Sequence, residues 1–209
     1  MTKATSLLLV VLLTLLGCAQ SKIHQAENFV PLGLGNVWVY KVIIDGKPVD
    51  GYMQLLVSDV NEADTDAPSY VVSIRDDSIP AEHRADEPQF YNVLPGDGIY
   101  CEICEAFLLK SPLRKGESWP AGGGHKDSVS RVIEVNAIVK VGDRNYPGSV
   151  IVERTEPALD RRIVFDYAPS VGMVSSHFYK LSTGAKASAY REELLLEHGR
   201  LSPPRYLMP

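Results

Sequence analysis

Three cysteines, five histidines and a few clusters of acids and bases carry whatever chemistry this chain can do. Cys101 and Cys104 stand in Cys-x-x-Cys spacing. On a continuous strand, residues three apart point to opposite faces, so there the two could neither bridge nor share a metal; pairing requires Glu102 and Ile103 to form a tight turn or bulge. A dithiol redox site wants its first cysteine at a helix N-terminus, where the dipole stabilises a thiolate. Here Asp97, Glu102 and Glu105 surround the pair with acids, which act against a thiolate. A zinc centre needs two more ligands, and no second Cys pair or spaced His pair supplies them. A structural disulfide or idle thiols are favoured over redox or metal chemistry.

The remaining candidates are weaker. His24, His83, His125, His177 and His198 include no pair at i,i+4. His83 and Glu87 are four apart, but within a proline-punctuated stretch where a solvated pair is expected. His177 shares a strand face with Met173, Ser175 and Tyr179 and is expected as a packed or rim residue, not a base. Gly148 abuts Ser149 with no second glycine after it, so there is no nucleophile elbow. Glu153, Glu156 and Asp160 lie beside Arg154, Arg161 and Arg162 and are expected as solvated ion pairs. Asp59, Asn61, Asp64 and Asp66 fail the EF-hand order, with no central glycine and no closing glutamate. Gly122-Gly123-Gly124 is followed by His125-Lys126-Asp127-Ser128 and then by strand-like alternation, which is not a phosphate cradle. The expectation is a protein without catalytic residues, metal or cofactor.

The N-terminus supplies an address. Lys3 is a positive start, Leu7 to Leu16 form an apolar run, and small Gly17 precedes Cys18. That is a secretory signal pattern covering residues 1–17. The run is too short for a bilayer-spanning helix, which needs about 20 apolar residues, and polar Gln20, Ser21 and Lys22 follow at once. Leu15-Leu16-Gly17-Cys18 resembles a bacterial lipobox, with Leu16 bulkier than the residue usual at that place. The resemblance implies that Cys18 becomes the mature N-terminus and carries acyl chains, palmitate among them, as a membrane anchor. With Cys18 so used, Cys101 and Cys104 remain as an even pair in an oxidising compartment and are expected to bond to each other. By the sorting rule of enteric bacteria, Ala19 where an Asp would mean inner-membrane retention implies the outer membrane.

Composition limits the partners. Of 209 residues, 45% are hydrophobic and 22% charged, as in a folded globular domain. Removing residues 1–17 takes away one base and no acid, leaving 20 bases against 26 acids, a net −6. A mildly acidic chain without a basic cluster argues against nucleic acid and against adhesion to anionic lipid. Membrane attachment would then depend on the acyl chains.

The elements that must position these residues are strands. Residues 18–28 read as a lipidated polar tether, residues 29–200 as a single β-rich domain, and residues 201–209, broken by Pro203-Pro204, as a loose tail. Trp38, Tyr40, Val42 and Ile44 alternate on one face of a first strand, Asp45-Gly46 turns it, and Tyr52 to Val57 pairs back. Ser58 to Ser69 reads as an acidic loop, Tyr70 to Arg75 as a strand, and Asp76 to Gly98 as too proline-rich for long regular structure, with a turn or two of helix around Ala81 to Glu87. Ile99 to Leu109 reads as strand interrupted at the cysteines. Val129, Arg131, Ile133, Val135, Ala137, Val139 and Val141 are expected to share one face of a long strand. Strands around Val150 to Val152, Arg162 to Tyr167 and Met173 to Leu181 follow at short spacing. Residues 187–198 fit helix or strand, and the preceding meander favours strand. Close strands without crossover helices mean an antiparallel sheet.

Pro31-Leu32-x-x-Gly35-Asn36-x-Trp38-x-Tyr40, Gly116-x-x-Trp119, Asn145-Tyr146-Pro147-Gly148-Ser149-Val150 and Tyr167-Ala168-Pro169-Ser170-Val171-Gly172-Met173-Val174 resemble a broad family of uncharacterised bacterial envelope lipoproteins. The resemblance implies a mainly β fold, a curved antiparallel sheet or half-barrel with few short helices. A more distant similarity is to periplasmic carriers and receptors that sort lipoproteins, whose half-barrels enclose an acyl chain. Two functions stand open. One is a structural or interaction lipoprotein, partnered by the membrane and other envelope proteins, whose aromatic residues fill a core; base rates favour it. The other is a binding module for a lipid or other hydrophobic ligand, with Trp38, Tyr40, Trp119, Phe165 and Tyr167 lining its cavity.

Overall fold

A computed structural model describes residues 24–61, 67–80, 88–122, 127–183 and 188–201. The signal segment, Cys18, the acids Asp64 and Asp66, the pair His83 and Glu87, the span Gly123 to Lys126 and the tail from Ser202 lie outside the described residues.

Twelve strands make one antiparallel sheet. They are β1 (Asn36–Ile44), β2 (Lys47–Asn61), β3 (Ser69–Asp76), β4 (Gln89–Leu94), β5 (Gly98–Cys101), β6 (Ala106–Lys110), β7 (Ser118–Pro120), β8 (Val129–Val141), β9 (Arg144–Glu156), β10 (Arg161–Ala168), β11 (Gly172–Lys180) and β12 (Arg191–Arg200). Their order across the sheet is β6-β5-β4-β3-β2-β1-β12-β11-β10-β9-β8-β7. The first and last strands therefore meet in the middle, and two strands adjacent in sequence, β6 and β7, form the edges.

The sheet curls into a nearly closed barrel. Register shifts in six of its strand pairings, such as those at Lys41/Ile43, Val57/Asp59 and Asp166/Tyr167, add local twist. The edges then face one another, and a side chain joins them: the Trp119 indole N–H donates to the Phe107 carbonyl at 2.9 Å. Gly122, at φ +67, lies so close to the opposite edge that a Cβ there would sit 2.1 Å from the Cys104 carbonyl oxygen.

The β1–β2 hairpin follows from its sequence. Asp45 and Gly46 both have positive φ, 48° and 74°, the backbone that suits the right-handed twist of a two-residue hairpin. Trp38, Tyr40 and Val42 are buried on the inner face. One apolar cluster gathers Trp38, Tyr40, Val42, Met53, Val57 and Val72, and another gathers Phe29, Ile99, Leu109, Trp119, Val150 and Val152.

Several expectations need correction. Residues 24–28 are not free tether: Leu113 N–H donates to the His24 carbonyl at 2.8 Å, Ala26 N–H donates to Ser111 Oγ at 2.9 Å, and the 3-10 turn Ala26–Phe29 buries Ala26 and Phe29. Strand β2 continues through Ser58–Asn61, where the acidic composition suggested loop. Strand β4 occupies the space between Pro88 and Pro95, since those prolines bound the ladder without entering it. In β8 the apolar alternation does not keep one face. Ser130 and Val132 are buried in its first half and Val139 and Val141 in its second, because shifts between Val132 and Ile138 carry Asn136 into the left-handed region at φ 57° and flip the phase. Residues Arg191–Arg200 form a strand, yet its buried side carries Glu193 and Leu195, the opposite phase to Glu192, Leu194 and Leu196.

Candidate functional site

Between the two apolar clusters lies a partly open cavity of about 340 Å³. Trp38 and Tyr40 of β1, Phe165 and Tyr167 of β10 and Met53 of β2 are among its walls. Trp119 is not: it is buried in the seam, where its indole already bonds the opposite edge. As an edge strand, β7 sets it beside β6, the opposite edge.

The aromatic walls are held by backbone. The Trp38 indole N–H donates to the Val171 carbonyl at 2.5 Å and the Tyr40 hydroxyl to the Met173 carbonyl at 3.0 Å, both reaching past β12 from β1 to β11 and its leading turn. Gly172 permits this approach, being at φ +104 with its missing Cβ 2.9 Å from Trp38 Nε1. Rings fixed in this way leave space between them in place of collapsing into it.

The polar members of the wall were not foreseen. Tyr91 donates to Gln89 Oε1 at 2.5 Å, and burial pushes its phenol up to about 12. Burial also raises the phenols of Tyr40 and Tyr167, so all three remain protonated and able to donate. Glu193 accepts from Arg191 Nε at 2.9 Å and from Ser176 Oγ at 2.6 Å. Arg191 also reaches Asp76 at 2.6 Å, tying β12 to β3. Arg154 reaches the cavity because it continues the inward phase of Val150 and Val152. That phase was legible, but proximity to Glu153 and Glu156 suggested a solvated pair.

The disulfide Cys101–Cys104 spans the turn between β5 and β6, and both residues line the cavity. Residues 102–105 turn, with Glu105 at φ 51°, which brings together side chains that a straight strand would hold apart.

On the outer face, His177 Nδ1 lies 3.1 Å from Glu192 Oε2 and its Nε2 lies 3.7 Å from Asp166 Oδ2. Its pKa is raised, first by Asp166, with Glu192 adding, against a smaller opposing effect of burial. Ser175 donates to Asp166, not to His177. The carboxylate therefore sits between hydroxyl and imidazole, and the base cannot take the serine proton directly, as nucleophile activation requires. Glu156 is buried, not solvated, and pairs with Arg161 at 2.5 Å, while Glu153 pairs with Arg162 at 3.6 Å. Among the described residues no cluster of three metal-ligating side chains occurs.

No family model matches the chain, and no curated protein matches it by sequence. Among solved structures it is similar to a candidate exported protein with a YmcC-like fold from Bacteroides fragilis, with TM-score 0.52 and 12% identity over 82% of this chain and 99% of that one. A candidate lipoprotein from Parabacteroides distasonis aligns with TM-score 0.44 and 12% identity over 82% of this chain and 98% of that one. At such identity the first likeness shows the fold, a YmcC-like antiparallel barrel.

Proposed function

We propose that the protein is a non-catalytic lipoprotein of the bacterial cell envelope, anchored in the outer membrane by acyl chains on Cys18, whose barrel binds a slender hydrophobic ligand. The observation that carries the binding role is the cavity of about 340 Å³ bordered by Trp38, Tyr40, Phe165 and Tyr167. Protein interiors are close-packed, and voids of this size inside a hydrogen-bonded sheet are the mark of a ligand site. This favours the binding module over aromatics that only fill a core.

The anchor rests on the lipobox-like Leu15-Leu16-Gly17-Cys18. Two or more acyl chains hold a protein stably to a membrane, where one is marginal. The fold neighbour described as exported accords with an envelope address. The docking of His24 against Leu113 gives the anchor a geometric consequence. Five residues separate Cys18 from His24, and the six steps between them span at most about 22 Å when extended. The barrel end bearing the Ala26–Phe29 turn is thus kept near the membrane, a source of apolar ligands.

Native mass spectrometry of the full chain extracted from cells tests the binding role. A co-purifying ligand of a few hundred daltons is expected; an apo mass throughout returns the protein to a structural or interaction role. For the anchor, Cys18→Ser is expected to move the protein from the membrane to the soluble fraction, and retention in the membrane would overturn it.

A further inference from the structure

Resting on the proposed ligand cavity, we infer that its occupant is a single-chain carboxylate, held by Arg154. Among the described residues lining the cavity, Arg154 is the only basic one. It sits on β9 between Ser130 of β8 and Ile163 of β10. The acids nearest in sequence are taken: Glu156 by Arg161 at 2.5 Å and Glu153 by Arg162 at 3.6 Å. Glu193, across the cavity wall, is held by Arg191 and Ser176.

Arg154 itself has no carboxylate partner among the described residues. Its Nε donates to Ser130 Oγ at 3.3 Å, and its guanidinium stacks 5.3 Å from the centroid of Phe165. Among the described residues neither terminal nitrogen has a hydrogen-bond partner, so both can donate. A half-buried guanidinium beside an apolar void is costly unless an anion meets it, and its fork matches a carboxylate in bidentate fashion. The Tyr167 hydroxyl, without a hydrogen-bond partner among the described residues, can add a third donor.

Size and charge narrow the class. At ~30 Å³ for each water-sized group, 340 Å³ holds about eleven, most of one medium-length chain and less than half of the two chains of a phospholipid. A phosphate monoester brings a charge of about −1.5 to −2, more than one guanidinium neutralises, whereas a carboxylate balances it.

The test uses the full chain in phosphatidylcholine vesicles, with tryptophan emission followed as dodecanoate or dodecan-1-ol is added and protein-free vesicles giving the partition correction. Trp38 borders the cavity and reports occupancy. Wild type is expected to bind dodecanoate about ten- to a hundredfold more tightly than the alcohol, the value of a charge-assisted hydrogen-bonded pair. Arg154→Met is expected to abolish that preference while leaving the alcohol bound, which also reports an intact barrel. As a check free of substitution, dodecanoate affinity in wild type is expected to fall toward that of the alcohol once pH drops below the carboxylate pKa. Equal binding of the two in wild type, or a preference that survives Arg154→Met, overturns the carboxylate assignment and leaves the cavity role standing. Failure of both compounds to bind overturns the assignment and the cavity role together. Tighter binding of dodecyl phosphate than of dodecanoate would also overturn the carboxylate assignment.

Discussion

At the scale of single residues, the cost of charge in a β interior is met by pairing. Arg191 is largely buried and satisfies Asp76 and Glu193 at once, so removing it strands two carboxylates in a low-dielectric wall. Breaking a buried pair from one side costs about 3–5 kcal/mol. Arg191→Met is expected to lower stability by that order in urea unfolding; a loss below about 1 kcal/mol would show that water already screens the cluster. His177 makes the opposite case, a titrating group on the outer face. Its folded pKa lies above the ordinary imidazole value, so the stabilisation is fully present below about pH 6.5 and is lost as pH rises through the folded value. The stability difference between wild type and His177→Gln is expected to shrink as pH is raised from 6 to 8; a difference that stays constant would mean that folding leaves the His177 pKa unshifted.

At the scale of elements, the seam between β6 and β7 is where the barrel depends on detail. A twelve-stranded sheet with edges facing but not laddered is held there, among the described residues, by an indole hydrogen bond and by the close approach at Gly122. Gly122→Ala combines an unfavourable positive φ with a Cβ 2.1 Å from a backbone oxygen, so the edges must part. The expected result is a loss of at least about 2 kcal/mol, with faster amide exchange in β6 and β7 than elsewhere. Uniform exchange across the sheet would show that the seam carries no local role. The same scale explains which strands were legible. Trp38, Tyr40 and Val42 alternate without interruption, and β1 buries them as the alternation requires. In β8 the apolar residues also alternate, but bulges change the phase midway, and alternation cannot register an inserted residue. Trp119 was expected in the cavity on its residue type alone, and its place on the edge strand β7, facing β6, puts it in the seam.

At the scale of the whole molecule, a partly open apolar cavity forgoes packing that a ligand restores. A ligand that binds only the folded barrel stabilises it by about 2.7 kcal/mol at a hundredfold excess over Kd. For a domain of this size that corresponds to a rise in Tm of roughly 5–10 °C. Dodecanoate is expected to give such a shift in calorimetry with the wild-type chain, and a much smaller one with Val72→Phe, whose ring would occupy the cavity. An undiminished shift in that variant would place the ligand elsewhere.

What the sequence by itself determined is what depends on neighbours along the chain. The period-two alternation, the Asp45-Gly46 turn and the short spacing of the strands are local properties, and together they settle a mainly β, antiparallel molecule. The signal pattern and the lipobox-like ending are also local and carry the expected address. What only the tertiary structure decided is what depends on curvature. Pairing of the first strand with the last makes the two halves one sheet, bulges add to its rolling, and the rolling faces β6 with β7 and leaves a cavity in place of a solid aromatic core. It also turns Arg154 from a member of a charged surface stretch into the one basic residue among the described residues of a mostly apolar wall, because Arg161 and Arg162, from the adjoining strand, take both nearby acids. Cross-strand register is a product of the closed sheet, and no spacing along one strand can encode it.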